Sequence, residues 1–485
     1  MLIAHCSLEE CMKYIPTIGI ETHVQLKTKT KLFAAVGNDA RRAAPNTLIS
    51  HICVGMPGAL PVLNEAAIEL CAKAALALGT EPQKLSHFER KHYFYPDLPK
   101  GYQITQYESP IITGGHLHFE VSGEKKCVRV ERANLEEDAG KNTHPAGADY
   151  SLVDLNRAGT PLLEIVSMPD IHSAAEAKAY ARELWLTMKY AGVTDGDLYH
   201  GHARFDINVS LSKDSKKLGT RSEIKNLNSF RSVEGAVAYE IKRQKQLLEK
   251  GQKVVQETRG WDEAKQKSLA QRSKEEAENY RYMPEPDVPP VELDDEYIEK
   301  IKKDMPDLPN ALREIFDRAA ISKNTIEILL ESPGRSLFIK SVVEKHGTEH
   351  AKRVSNWVVG AFETLTQGIW LGGITSLEKA IKLSQMVSEG KLNSTAAKEI
   401  WINMTVSGDD PEALAEKLNL IQVSDEVEIE KIVSKVIAEN PKVAQDIKAG
   451  QEKAIGFLVG QVMAKTKGQA NPGLAQQIIK KQLGV

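Results

Sequence analysis

Hydrophobic periodicity changes once along this chain, near residue 290, so no single repeating architecture accounts for all of it. Before that point, short runs with a two-residue period alternate with helical stretches. After about Leu293 the pattern is helical, with few strand signals. The expected class is α+β: a mixed α/β domain, then an all-helical domain, then a small helical tail domain. Expected strands are Thr17–Leu26, His116–Val121, Cys127–Arg132, Pro161–Val166 and Arg204–Leu211. In ARFDINVSL, Phe205, Ile207, Val209 and Leu211 share one face, and Arg204, Asp206, Asn208 and Ser210 share the other. A helix is expected from Ser173 to about Ala191: Ser173 and Glu176 form a capping-box pattern, Ala177, Tyr180, Leu184 and Met188 an apolar stripe, and Gly192 a stop. A second runs from about Ser232 to Lys250.

Breaks in pattern place the domain borders. PEPDVPP (284–290) interrupts regular structure, and Ser332-Pro333-Gly334 and Gly372-Gly373 read as loops. VSGDDP (406–411) separates a last helical piece. The expected division is an N-terminal extension 1–16, a domain 17–293, a helical domain 294–408 and a tail 409–485. A length of 485 residues suits two to four domains of roughly 150 residues each.

No run approaches the roughly 18 apolar residues of a membrane-spanning helix, and the first fourteen residues, with Glu9 and Glu10, do not read as a secretory signal. Five scattered cysteines suit a reducing compartment, and a cytoplasmic protein is expected. The net charge of −3 does not announce a nucleic-acid binder. The segment 441–485, however, carries seven lysines against Asp446 and Glu452, a composition that serves a phosphate-reading arm and a solvated helix face equally.

GxxxxGK[ST], GxGxxG, GxSxG and paired CxxC knuckles are all missing from the sequence. What remains for chemistry is a set of acids on strand-like segments. Glu21 and His23 lie two apart in IGIETHVQL and so share a face, with Ile18, Ile20 and Thr22 turned to the core. Glu136, Glu137 and Asp138 are consecutive, and Asp206 lies on the polar face of its strand. Each acid alone suits a solvated strand end or a salt bridge as well as a ligand role. Glu164 differs, because a carboxylate inside the apolar run PLLEIV must be neutralised, paired or liganded. Carboxylates converging from separate segments suit a hard cation such as Mg²⁺; His23 suits Mn²⁺ or Zn²⁺ better, or an outer supporting position. The stretch 89–106 adds Arg90, Lys91, His92, Tyr93, Tyr95, Lys100 and Tyr102, a mixture able to stack on an RNA end and grip phosphate, or simply to anchor a surface loop.

IGIETHVQL, GMPGALPVLN, YFYPDLPKGYQITQ, EEDAGK, SLVDLNRAGTPLLEIVSMPD, EIKNLNSF, QETRGWD and YRYMPEPDVPP follow one another in this order. Together they resemble the B-subunit family of the heterotrimeric tRNA-dependent amidotransferases, from about Thr17 to the C-terminus. The resemblance implies a front "cradle" domain and a ligase of protein biosynthesis that phosphorylates, with ATP, the side-chain carboxylate of Glu-tRNA(Gln) or Asp-tRNA(Asn). Ammonia then arrives from an amidase A subunit, while a small C subunit braces the assembly. It implies a metal site at Glu21, His23, Glu137, Glu164 and Asp206, with Glu136 as substitute or neighbour. Glu137, Glu164 and Asp206 would be the catalytic carboxylates, and Lys91 and Lys100 would lie by the ammonia path. Lys442, Lys448, Lys453, Lys465 and Lys467 become candidate tRNA-phosphate contacts. Many members of that family carry four zinc-binding cysteines after the first strand. Here those positions read Ala34, Val36, Ser50 and Cys53, so no structural zinc is expected and Cys53 is expected to act as a small buried apolar group. The competing readings are a non-catalytic tRNA-binding scaffold and a free-standing carboxylate–amine ligase.

Overall fold

The computed structural model describes residues 14–214, 216–273, 280–364, 376–422, 426–466 and 470–485. They fall into two compact units that divide after Pro309. The α+β class holds: the strands lie in the first unit, and the second is helical. No described helix is long and apolar enough to cross a membrane.

The first unit begins with β1 (Ile15–Gln25), α1 (Glu65–Ala77), β2 (Leu85–Ser86), β3 (Glu89–His92), β4 (Tyr102–Thr105) and β5 (Ile112–Thr113). Next come β6 (His116–Val121), β7 (Glu124–Glu137), β8 (Lys141–Thr143), β9 (Leu152–Asp154) and β10 (Pro161–Ser167). The long helix α2 (Ala174–Tyr190) leads to β11 (Ala203–Ser212), β12 (Ser222–Leu227) and α3 (Phe230–Glu249). The unit closes with β13 (Glu257–Asp262), β14 (Lys267–Ser273), β15 (Met283–Pro284), β16 (Val291–Glu292) and α4 (Asp295–Lys303).

Nine strands form the main sheet in the order β14-β13-β12-β11-β1-β10-β7-β5, with β6 also paired to β7. Its pairings are antiparallel except β12 with β13. Strand β1 sits in the interior of this sheet, and its pattern is strictly alternating: Ile18, Ile20, Thr22 and Val24 are buried, while Glu21, His23 and Gln25 face the other way. Helices α2 and α3 pack on the apolar side through Ala177, Tyr180, Leu184 and Met188, the expected stripe, and through Val233, Ala236 and Val237. Ser173 caps α2 by accepting the Glu176 N–H at 3.1 Å. Glu176 reaches back one residue further than the capping box requires, accepting the His172 N–H at 2.8 Å.

Two expectations change. Strand β7 runs five residues beyond Arg132, through ANLEE, because the acids at its end find partners on both faces of the sheet. Ser332-Pro333-Gly334 is not a loop but the start of α7, where proline suits the first helical position. Gly372-Gly373 lie outside the described residues.

The second unit continues from α5 (Pro309–Arg318) through α6 (Lys323–Leu330), α7 (Pro333–His346), α8 (Thr348–Thr364) and α9 (Leu377–Ser388) to α10 (Ser394–Ser407). Gly408 ends α10 at φ +72°, a left-handed C-cap, and α11 (Pro411–Lys417) follows. Then come α12 (Glu426–Glu439), α13 (Pro441–Lys448), α14 (Ile455–Lys465) and α15 (Pro472–Leu483), which bury Val433, Val436, Ile447, Leu458, Val462, Ile478 and Ile479 together.

Candidate functional site

The polar side of the main sheet carries the site, and register assembles it. In β1, Glu21 stands directly opposite Asp206 of β11, and His23 directly opposite Glu164 of β10. His23 Nε2 lies 3.4 Å from Glu21 Oε1 and 3.5 Å from Glu164 Oε2. Ligand atoms of Glu21, His23 and Asp206 lie within 4.8 Å of one another, and so do those of His23, Glu136 and Glu164. His23 therefore joins two carboxylate pairs into one cluster.

Glu137 does not join it. It follows Glu136 in a strand, so its side chain leaves on the opposite face. There it pairs with Lys100, both side chains buried, and accepts the Ile104 N–H at 3.0 Å. The carboxylate that β7 contributes to the cluster is Glu136, which also accepts the Thr105 hydroxyl at 2.8 Å. Lys100 thus lies on the Glu137 side, beside a cavity of about 100 Å³ lined by Ile52, Met56, Tyr102 and Ile104. Lys91 lies on the acid side, 5.0 Å from the Tyr280 ring centroid.

Electrostatics follow from burying four acids together. Burial and the neighbouring charges of Glu164 and Asp206 push Glu21 up to about 7. Glu136 rises to about 7 through burial and Glu164, partly offset by Lys91. Burial would lower His23, but Glu164, Glu21 and Asp206 outweigh it and raise the imidazole to about 9. Burial would likewise raise Glu164, yet His23, Lys91 and Arg132 bring it down to about 2. Asp206 is held below its usual range against its burial by Lys225, whose Nζ lies 3.0 Å away. The cluster thus keeps protons that water would remove at neutral pH, the mark of a site short of positive charge.

The donors fit a hard divalent cation. Beyond the carboxylates and the imidazole, Asn134 Oδ1 and Asn208 Oδ1 are buried without a hydrogen-bond partner among the described residues, and both stand on strands of the cluster. Asn134 also donates to Glu164 Oε1 at 3.3 Å. Oxygen-rich, mostly anionic donors with one imidazole match Mg²⁺ or Mn²⁺ chemistry.

Several participants escaped sequence reasoning. Lys225 and Asn226 hold Asp206 from both sides: Lys225 Nζ donates to Oδ2 at 3.0 Å and the Asn226 N–H to Oδ1 at 2.8 Å. They occupy a bulge, where two residues of β12 face Asp206 between the Phe205–Leu227 and Ile207–Ile224 pairs. Asn226 has φ +61° there. Arg132 belongs to the site face by its spacing from Asn134 and Glu136. Tyr107 and Tyr282 stack at 4.3 Å beside it. Asp138 faces the same side, bound by Arg204 at 3.0 Å and Arg157 at 3.4 Å.

At the family's zinc positions, Ala34 is buried, and Cys53 is buried as expected but not apolar in its contacts. Its Sγ lies 3.6 Å from the fully buried Lys31 Nζ and 3.4 Å from Ser50 Oγ. In the second unit Lys442, Lys448 and Lys453 are exposed, whereas Lys465 is paired with Glu439 at 2.5 Å. Lys467 lies outside the described residues.

Residues 16–299 match the family described as "GatB/GatE catalytic domain", and residues 337–483 match "GatB domain". A protein of Persephonella marina, named as the B subunit of aspartyl/glutamyl-tRNA(Asn/Gln) amidotransferase, is 44% identical over 477 residues, 97% of this chain and 100% of its own. The proteins of that name from Desulfotalea psychrophila (43% identical, 97% and 100% covered) and Thermotoga maritima (44%, 97% and 99%) are similarly close.

Proposed function

The chain belongs to the B-subunit family of the tRNA-dependent amidotransferases, and from that premise we propose that its acid cluster activates a carboxylate for amidation on tRNA. As such a subunit it works within a glutamine-dependent carbon–nitrogen ligase of protein biosynthesis. The partners in this reading are an amidase A subunit, a small C subunit and tRNA(Gln) or tRNA(Asn), in the cytoplasm, with ATP as phosphoryl donor. Residues 17–293 form the catalytic cradle, 294–408 a helical domain, and 409–485 the tail that meets tRNA through Lys442, Lys448 and Lys453. Lys465 contributes there once it leaves Glu439.

The observation that carries the reading is the meeting of Glu21, Glu136, Glu164 and Asp206 around His23. A carboxylate is a poor acceptor for ammonia, because the attack must expel oxide. In the proposed sequence one oxygen of the substrate carboxylate attacks the terminal phosphorus of ATP, and ADP leaves. Ammonia then attacks the acyl carbon, phosphate leaves, and a proton is lost from the new amide nitrogen. Phosphoryl transfer is chiefly a matter of positioning and charge neutralisation. Glu21, His23, Glu164 and Asp206, with Glu136 rather than Glu137, would hold a divalent cation, which supplies charge neutralisation on the phosphate oxygens when bound. Lys225 and Asn226 fix the Asp206 carboxylate, and Asn134 fixes Glu164. Glu137 and Lys100, on the other face, form a polar gate beside the cavity and serve the ammonia path, with Lys91 nearer the acids.

The test replaces Glu164 by Gln, and separately Asp206 by Asn, in the assembled enzyme. Binding of mischarged tRNA should survive while ATP-dependent acyl-phosphate formation collapses. Full acyl-phosphate formation in both variants would leave the scaffold reading standing instead.

A further inference from the structure

A substrate that brings a carboxylate and a triphosphate to four acids calls for positive charge on that face beyond a single divalent cation, from a side chain that is still uncommitted. Most positive groups there are already engaged, and Lys91 is turned over the Tyr280 ring, 5.0 Å from its centroid. Lys225 is held by Asp206 at 3.0 Å and by Glu223 at 3.3 Å. Arg204 and Arg157 are both held by Asp138. His23 lies between Glu21 and Glu164. Arg90 is committed to Glu285 at 2.8 Å and Asp287 at 3.1 Å.

Arg132 differs. Its Nε is buried and has no hydrogen-bond partner among the described residues. Among the described residues, its carboxylate neighbour within ion-pair range is Glu131, 3.8 Å from Nη1, whose side chain is half exposed. A guanidinium edge desolvated and left without an acceptor is a costly arrangement, which an incoming oxyanion relieves. The aromatic groups around it are already placed. The Arg132 guanidinium carbon stands 5.7 Å from the Tyr107 ring centroid, and Tyr107 stacks on Tyr282 at 4.3 Å with planes 16° apart. Tyr107 is itself anchored by its N–H, which donates to Glu89 at 2.7 Å. Two residues further along the same strand face, Asn134 touches Glu164.

We propose that Arg132, steadied by the Tyr107–Tyr282 stack, is the oxyanion-binding residue that draws substrate onto the acid cluster. The inference rests on the cluster being the place of reaction. A guanidinium offers a planar fork that matches a carboxylate or a phosphate, so the ligand chemistry is a substrate oxyanion. It has two sources here: the side-chain carboxylate of the esterified amino acid and the terminal phosphate of ATP.

The test uses the assembled enzyme carrying Arg132→Gln or Arg132→Lys, with equilibrium binding as the readout so that no chemistry is needed. One arm compares mischarged with uncharged tRNA, and the other measures ATP. Arg132→Gln should weaken one arm by about 10- to 100-fold, the loss of a charge-assisted pair. Arg132→Lys should lie between it and the parent, since an ammonium lacks the fork. Loss confined to mischarged tRNA identifies the carboxylate; loss confined to ATP identifies the phosphate. The proposal is overturned if neither arm moves, or if both fall together with Mn²⁺ binding and thermal stability. Glu164→Gln keeps the two readings apart: acyl-phosphate formation in that variant breaks the catalytic reading, while the Arg132 binding arms still report on the subsite.

Discussion

Asn226 offers the sharpest check that Asp206 is held by backbone geometry. At φ +61° its N–H points at Asp206 Oδ1, 2.8 Å away, while its own side chain is exposed. Replacing it with valine forces a choice. If the left-handed conformation survives, the β-branched side chain costs about 1–2 kcal/mol, or more. If the backbone relaxes to negative φ, the N–H turns away and a buried carboxylate loses a charge-assisted bond of about 1.5–3 kcal/mol. Asn226→Val therefore destabilises the first unit by roughly 1–3 kcal/mol, a fall in Tm of roughly 2–12 °C. Glycine adopts positive φ freely and keeps the N–H in place, so Asn226→Gly costs only about 0.5–1 kcal/mol of chain entropy. Calorimetry ranks stability, and electron paramagnetic resonance titration with Mn²⁺ ranks the site. The valine variant should lose Mn²⁺ affinity and the glycine variant should retain it. Equal Mn²⁺ affinity in both variants, or a glycine variant as damaged as valine, refutes the reasoning.

Two further outcomes follow from the charges. His23, raised to about 9, and Glu21 and Glu136, raised to about 7, hold protons that a cation must displace. Without a cation, these groups favour the folded state most at low pH. Their contribution is lost as pH rises, between about 4.5 and 7 for the acids and between 6.5 and 9 for the imidazole. Mn²⁺ binding should therefore strengthen as pH rises and release roughly two protons at pH 7 and about one at pH 8. Calorimetry in buffers of different ionisation enthalpy reads this, and a heat independent of buffer contradicts it. On the opposite face, Lys100→Met leaves the buried Glu137 carboxylate without its cation and should cost about 3–5 kcal/mol. Adding Glu137→Gln should recover part of that loss in thermal unfolding, and strict additivity of the two substitutions would deny the pairing.

Side-chain parity within strands was legible from the sequence. IGIETHVQL and ARFDINVSL each carry their polar set on one face, as their alternation requires. Long-range pairing was not legible. Glu21 meets Asp206 and His23 meets Glu164 because β1 lies between β10 and β11, and residues 141 to 185 positions apart in sequence carry no local signal of register. The choice between Glu136 and Glu137 failed for a related reason. Two adjacent acids in a strand cannot share a face, but the expected strand ended at Arg132 and left Glu136 and Glu137 without a parity to count. Only the continuation of β7 to Glu137 decides which acid turns to the cluster. Lys225 and Asn226 stayed hidden because a bulge suspends alternation, so no count along β12 predicts that both meet Asp206.

The placement of the cluster bears on what a cation would do to it. Its donors stand on β1, β7, β10 and β11, all joined in one sheet, rather than on loops. Rigid strands fix donor directions before any ligand arrives, which lowers the ordering cost of binding. The same rigidity prevents the acids from moving apart, so their repulsion emerges as raised proton affinities instead. Lys225, Arg204 and Arg157 chiefly relieve the outer acids, Asp206 and Asp138, and leave Glu21, Glu136 and Glu164 to share His23 and the more distant charges of Lys91, Arg132 and Lys225. A divalent ion supplies the charge this inner group lacks. Its binding should therefore stabilise the sheet as a whole, most strongly above pH 7, where the protons that substitute for it are leaving.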